Sequence, residues 1–311
     1  MTLSSEQYEK DAQMLRKAMK GWGTDEKTII EICAKRTNAD RMKIKTFFKS
    51  SFGRDLEEDL DDELGGNLRR VMLGMFKSTV DYDCHELMGA MKGMGTDEDT
   101  LIEILGSRTN SEIEAIKPRF KELFNKDLEA EVIDETSGDL KRLLVSLLQC
   151  NRSEVTDIDT NKLDKDLADI YEAGEGQCGT DESVFNKIFT NRSPKEIRYL
   201  NKEYLKHTGK NLREVIESEF SGDIKKLLIT ILHCCTNITD YFSHRIRGAC
   251  KGLGTDDKVL IRCMITRDEI DLQEIKKTYK QNYGLSLYDE IKDECSGDYK
   301  LCLLAIAATD N

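Results

Sequence analysis

The feature that leaves this chain least freedom is a six-residue motif that occurs four times. Gly21-Trp22-Gly23-Thr24-Asp25-Glu26 returns as Gly93-Met94-Gly95-Thr96-Asp97-Glu98, as Gln177-Cys178-Gly179-Thr180-Asp181-Glu182 and as Gly252-Leu253-Gly254-Thr255-Asp256-Asp257. The glycine before the threonine recurs after 72, 84 and 75 residues. Counting on from that glycine, Arg36, Arg108, Arg192 and Arg267 stand at +13, and Gly53, Asn125, Gly209 and Gly284 at +30. An acid follows at +40 (Glu63, Glu135, Glu219, Glu294) and a glycine at +43 (Gly66, Gly138, Gly222, Gly297). Five landmarks at fixed offsets in four copies exclude chance spacing, so the chain is four modules of about 70 residues each.

Within a module the apolar residues come in short helical runs. Leu15, Ala18 and Met19 mark a face before the first loop, and Ile29, Ile30, Ile32 and Cys33 the helix after it. The loop threonine reads as the N-cap of that second helix, with acids in its first turn. Ser111 with Glu114 and Ser193 with Glu196 read as capping boxes, the latter with Pro194 at the first helical position. The +30 residues are of the two types that tolerate a left-handed C-terminal cap. A last helix carries Leu143, Leu144, Leu147 and Leu148, or Leu227, Leu228 and Ile231. That makes about five helices per module. Only two prolines and few alternating β-branched runs exclude a sandwich or barrel, and the fold class is all-α. Pro118 falls inside the helix expected from Ser111 and should kink it or cost ~3 kcal/mol. The expected organisation is an arm over 1–6, modules over 7–77, 78–150, 161–236 and 237–311, and a polar linker over 151–160 that accounts for the 84-residue interval.

Charge decides which partners are open to it. With 59 acidic and 47 basic residues the net charge is −12, which opposes direct approach to nucleic acid or to an anionic lipid surface. An acidic partner would need a bridging cation. No apolar run approaches the 18–20 residues of a membrane-spanning helix, and the N-terminus goes straight to charge without a secretory pattern, so the expected location is cytoplasmic. Ten scattered cysteines with no CxxC pair read as reduced core residues, and the sequons at Asn151, Asn191 and Asn237 carry no weight in that compartment.

A GxGT loop between two helices, with a carboxylate 40 residues later, has the chemistry of a calcium site. Glycines let the backbone aim carbonyl oxygens at one point and Glu adds two more; magnesium would demand a tighter octahedron, and zinc would want His or Cys. About three carbonyls and one carboxylate leave positions open, and one negative charge against a divalent ion implies weak affinity, ~10⁻⁴ to 10⁻³ M. An anion such as a lipid phosphate would complete the shell, with Lys20, Lys92 and Lys251 within reach of it. The plainer reading, a helix stop followed by a helix start, suits one copy but not four. Other chemistry fits poorly. Asp157-Ile158-Asp159-Thr160-Asn161 starts like an EF-hand, but Lys162 replaces the required Gly and Ala168 the bidentate Glu. His85-Glu86 lacks the second His of a zinc protease and GxSxG is absent, so no catalysis is expected.

From about Gln7 to Asn311 the sequence resembles an annexin. The resemblance implies a slightly curved disc of four five-helix modules that docks reversibly on anionic phospholipid when calcium rises, with the calcium loops on its convex face and lateral self-association on the membrane open to it. It also implies ligand sets: the carbonyls of Met19, Gly21 and Gly23 with Glu63; Met91, Gly93 and Gly95 with Glu135; Cys250, Gly252 and Gly254 with Glu294. The third module departs, since Gln177 stands at the first loop-glycine position and no lysine precedes it; Gly174, Gln177 and Gly179 with Glu219 fit a longer loop variant. Membrane contact is expected from Trp22, Met94, Cys178 and Leu253 at the loop tips, and Trp22, the only tryptophan, should be solvent-exposed until calcium and vesicles are both present. Two alternatives stand beside calcium-dependent membrane binding. One is a cation-conducting pore using Asp83, Glu86 and Arg108, for which an ordinary buried polar network is the plainer account. The other is a metal-free helical protein scaffold.

Overall fold

The computed structural model describes residues 3–21, 23–252 and 254–308. Every regular element among them is an α-helix. The first module holds α1 (Ser5–Ala18), α2 (Glu26–Ala34), α3 (Asn38–Phe52), α4 (Leu56–Glu63) and α5 (Gly66–Met75). The second holds α6 (Thr79–Ala90), α7 (Glu98–Ser107), α8 (Asn110–Phe124), α9 (Leu128–Glu135) and α10 (Gly138–Leu148). After the segment 149–159 come α11 (Thr160–Ala173), α12 (Glu182–Asn191), α13 (Pro194–Thr208) and α14 (Leu212–Glu219). Helix α15 (Gly222–Cys250) closes the third module and opens the fourth, which continues with α16 (Asp257–Arg267), α17 (Leu272–Tyr283), α18 (Leu287–Glu294) and α19 (Gly297–Ala308). α15 is two helices joined at Asn237, whose extended backbone (φ −158°, ψ 98°) breaks the helical run. The Asn237 side chain then caps the second half by accepting from the Asp240 amide at 3.1 Å.

The repeated landmarks are backbone devices. Gly53, Asn125, Gly209 and Gly284 end the third helix of each module in the left-handed conformation, with φ of 65°, 54°, 79° and 68°. The caps differ from expectation in two places. The N-cap of each second helix is the aspartate, not the threonine before it: Asp25, Asp97, Asp181 and Asp256 each accept a backbone amide from the first turn. In the second module the capping box is Thr109 with Glu112, two residues earlier than Ser111 with Glu114, while Ser193 with Glu196 and Pro194 at the helix start is as expected. Helix α8 continues through Pro118 to Phe124. The helix-opening Ser5 and Glu6 belong to α1 rather than to an arm.

The chain forms two compact units: one from residues up to Tyr82 with those from Phe242 onward, the other from Asp83 to Tyr241. In the first, α1 packs on α2 and α3, and the first and fourth modules join where α5 meets α16 and α19, and α2 meets α19. Leu15, Ile29, Phe48, Leu60, Met72, Leu260 and Ile306 are among its buried side chains. In the second, α10 packs on α7 and α9 within its module and on α12 of the next. There α10 buries Leu140, Leu143, Leu144, Leu147 and Leu148, one helical face. Close approach of helices is built in at two glycines. A Cβ on Gly106 of α7 would lie 2.9 Å from Thr230 Cγ2 of α15, and one on Gly74 of α5 would lie 2.5 Å from Ile265 Cδ1 of α16. The cysteines are free thiols, and burial pushes Cys33 and Cys250 up to about 12, so they stay protonated packing groups.

Candidate metal sites

In each module the loop leaves the C-terminus of one helix and returns to the N-terminus of the next, closed by a single backbone bond. The Asp25 amide donates to the Ala18 carbonyl at 2.9 Å, Asp97 to Ala90 at 2.9 Å and Asp256 to Ala249 at 2.8 Å. The first loop glycine sits at φ 120°, 123° and 128° in Gly21, Gly93 and Gly252, and the second at 83°, 90° and 93° in Gly23, Gly95 and Gly254. L-residues rarely adopt such angles, which is why glycine is required there. In the second module, among the described residues, no hydrogen bond ends on the carbonyls of Met91, Gly93 or Gly95. These are hard oxygen donors at the C-terminus of α6, where the helix dipole is negative.

The loop threonine, rather than capping the helix, connects the loop to the distant acid. Thr24 Oγ1 donates to Glu63 Oε2 at 2.8 Å, Thr96 to Glu135 at 3.1 Å and Thr180 to Glu219 at 2.9 Å; in the fourth module Thr255 reaches the Glu294 backbone carbonyl at 3.4 Å. Each glutamate is the last residue of a helix (α4, α9, α14, α18), so a second negative helix end faces each loop. Glu63, Glu135 and Glu294 are exposed and Glu219 is half-buried. The +43 glycine, with φ of 56° to 62°, opens the following helix and turns the chain sharply behind the acid. In the second module a carboxylate, uncommitted carbonyls and two helix C-termini form a donor set of hard oxygens that fits calcium.

The third loop reaches the same end by another path. Its closing bond runs from Asp181 to Ala173 at 2.7 Å, one residue longer than in the other modules. Gln177 has no left-handed backbone, and Gly174, with φ −119°, ends α11 where a Cβ would lie 3.3 Å from Glu219 Cγ. Gly174, Gln177, Gly179 and Glu219 are therefore brought together. Where the other loops carry lysine this one carries Glu175, which accepts from the Lys210 ammonium and, at 2.9 Å, from the Tyr204 hydroxyl. The Lys210 bond, opposed by partial burial, holds the Glu175 carboxyl below its usual range. Met94 is fully exposed, and Lys20, Lys92, Lys251 and Cys178 are exposed. The expectations for Trp22 and Leu253 fall outside the described residues.

A protein-family model described as Annexin matches this chain four times, over residues 10–75, 82–147, 166–231 and 241–306. The chain belongs to the annexin family. Annexin A13 of Homo sapiens is 44% identical over 298 residues, covering 96% of this chain and 94% of that one. The solved structure of annexin III superposes with a TM-score of 0.96 at 35% identity, covering 100% of this chain and 97% of that one. A calcium-bound annexin (Sm)1 structure superposes with a TM-score of 0.86 at 32% identity, covering 99% and 92%.

The +13 arginines of this annexin have a structural explanation that their spacing alone did not supply. Arg36 forks onto Asp11 at 2.6 and 3.1 Å, Arg108 onto Asp83 at 2.7 and 2.8 Å, and Arg192 onto Asp166 at 2.5 and 2.9 Å. Each pair ties the end of the module's second helix to its first. Burial alone would lower the Arg108 pKa, but Asp83 outweighs it and holds the guanidinium above its usual value. In the fourth module Phe242 occupies the position of Asp83. Arg267 lies over its ring at 4.5 Å and turns to Asp271 at 2.7 and 2.6 Å. Asp271 consequently makes no side-chain cap on α17, whereas the acids at the same offset, Glu112 and Glu196, cap α8 and α13. Two of the three residues considered for a pore, Asp83 and Arg108, thus form a buried ion pair, each side chain 2% exposed, and Glu86 is half-buried on the same helix as Asp83.

Proposed function

We propose that this annexin binds calcium at its loop–glutamate sites and, through the ion, docks reversibly on anionic phospholipid. The observation that carries the reading is the hydroxyl bridge from the loop threonine to the helix-ending glutamate, which in the first three modules sets a carboxylate beside the loop before any ion arrives. The loop carbonyls and the glutamate supply the oxygen ligands, and the exposed Lys20, Lys92 and Lys251 lie next to the loop glycines, where they can pair with a lipid phosphate. Calcium supplies the positive charge that lets a protein of net charge −12 meet an anionic surface. Met94, fully exposed at its loop tip, is an apolar contact for the lipid interface. Sites that are weak singly gain avidity once one is engaged. The expected location is cytoplasmic, peripheral to a membrane when calcium is raised, and among the described residues no helix is long and apolar enough to cross a bilayer. No catalytic role is proposed.

Co-sedimentation with phosphatidylserine vesicles across a calcium titration tests this. Glu63→Gln, Glu135→Gln and Glu294→Gln should each raise the calcium needed for half-maximal binding, and the triple variant should raise it most. A triple variant with the wild-type calcium midpoint would refute the shared-site reading. Binding in chelator should be negligible and should not be rescued by low salt.

A further inference from the structure

Helices α11 and α13 of the third module enclose a groove of about 410 Å³ that the calcium reading does not use. Its α11 wall is one helical face, carrying Asp164, Leu167, Tyr171 and Glu172; α13 contributes Tyr204 and His207. The floor is apolar and fixed. Leu167 and Tyr204 are buried, and the Tyr204 ring is held in place because its hydroxyl donates to Glu175. The rim is aromatic and acidic. Tyr171 leaves 44% of its surface exposed, and Asp164 and Glu172 are exposed at opposite ends of the same face.

The charges of the neighbourhood sort themselves by who already has a partner. Glu175 is engaged by Lys210, and Lys206 by Glu203 at 2.6 Å. Among the described residues Asp164 and Glu172 form no ion pair. The groove thus offers two carboxylates without an ion-pair partner, an exposed tyrosine ring and an apolar floor, with no lysine or arginine in its described lining, whose α13 side adds the polar His207 and Thr208. An organic cation satisfies all three at once: a carboxylate takes its charge, the ring face attracts it, and the floor covers an apolar body. The volume lies within the ~300–1,000 Å³ typical of small-molecule sites.

We propose that this groove binds a small, soluble organic ammonium ion with an apolar body. Binding does not pass through the calcium loops, so it persists in chelator, and failure of the calcium reading would leave it standing. The probe is benzyltrimethylammonium, titrated into the full chain in chelator and followed by saturation-transfer NMR and calorimetry. The expected Kd is on the order of 0.1–1 mM, as befits a ligand of that size. Asp164→Asn with Glu172→Gln should weaken binding by about tenfold, and Tyr171→Ala by roughly fivefold, with melting unchanged because all three side chains are exposed. Benzenesulfonate, of similar size and opposite charge, should not bind. Equal binding of the sulfonate, wild-type affinity in the double carboxylate variant, or capture by phosphatidylcholine vesicles in chelator with no binding of the free ion would each overturn the proposal.

Discussion

Removing Asp83 isolates the energetic role of the repeated arginine. Asp83 and Arg108 are each 2% exposed in their side chains and share two bonds at 2.7 and 2.8 Å; Arg108 has one further bond, to Ser107 Oγ at 3.0 Å. Asp83→Ala would leave the guanidinium buried without its counter-charge, and breaking such a pair from one side costs about 3–5 kcal/mol. A domain of 150–250 residues loses roughly 2–4 °C per kcal/mol, so the unit Asp83–Tyr241 should melt roughly 6–20 °C lower. Differential scanning calorimetry reads this directly. Glu217→Ala is the control, because its partner Arg213 and it are both 48% exposed and such a pair contributes ~1 kcal/mol at most. Asp83→Leu with Arg108→Met, which removes both charges, should recover most of the loss. An Asp83→Ala protein melting within about 2 °C of wild type, or a double variant no better than the single, would refute the reasoning. Asp83→Phe should cost less than Asp83→Ala, since Phe242 shows the ring accommodated beneath Arg267 in the fourth module.

Gly106→Ala should destabilise the second unit by about 1–3 kcal/mol through the 2.9 Å clash with Thr230, while Gly89→Ala, where a Cβ meets nothing within 4 Å, should stabilise it by roughly 0.5–1 kcal/mol; urea midpoints separate the two. Gly174→Ala should raise the calcium demand of the third site without loss of fold, because its Cβ would press on Glu219 Cγ at 3.3 Å; calorimetric calcium titration of a variant in which the other three acids are Gln reads it. The Glu175 carboxyl is held below its ordinary value of 4.5, so its contribution to stability is complete above that value and lost as pH falls through the lowered one. The stability gap between wild type and Glu175→Gln should therefore be full at neutral pH and shrink as pH falls below the ordinary carboxylate value, and a gap that stays constant would contradict the assignment.

The backbone devices were legible in the sequence because they depend on residue type alone. A loop glycine at φ near 120° or a left-handed cap at +30 admits few alternatives, so the residue announces the geometry. Side-chain partnerships were less legible. Threonine and aspartate are both good N-caps, and a sequence of Thr-Asp cannot say which one turns back to the helix; the structure gives that task to Asp25 and its counterparts and sends Thr24 to Glu63. The partner of Arg108 lies 25 residues earlier on another helix, where no local spacing rule reaches. The signal was nevertheless present: an aspartate stands before the loop at a matching distance in three modules and phenylalanine in the fourth. The third loop showed itself through Gln177, since glutamine cannot take the first glycine's angle, and the extra residue between Ala173 and Asp181 is how the chain avoids asking it to.

The division of the chain into a continuous unit and a split one has a consequence for synthesis. The stretch from Asp83 to Tyr241 is a compact unit continuous in sequence and can close as soon as it has left the ribosome. The first module has no such independence, because α2 and α5 bury themselves against α16 and α19, which belong to the fourth module and are made after the other three. Until those arrive, the first module waits with apolar faces uncovered, such as that of Ile29, Ile30, Ile32 and Cys33 on α2. The first module of this annexin is therefore made before the second and third but folds after them, and the growing chain is most exposed to aggregation or chaperone capture there.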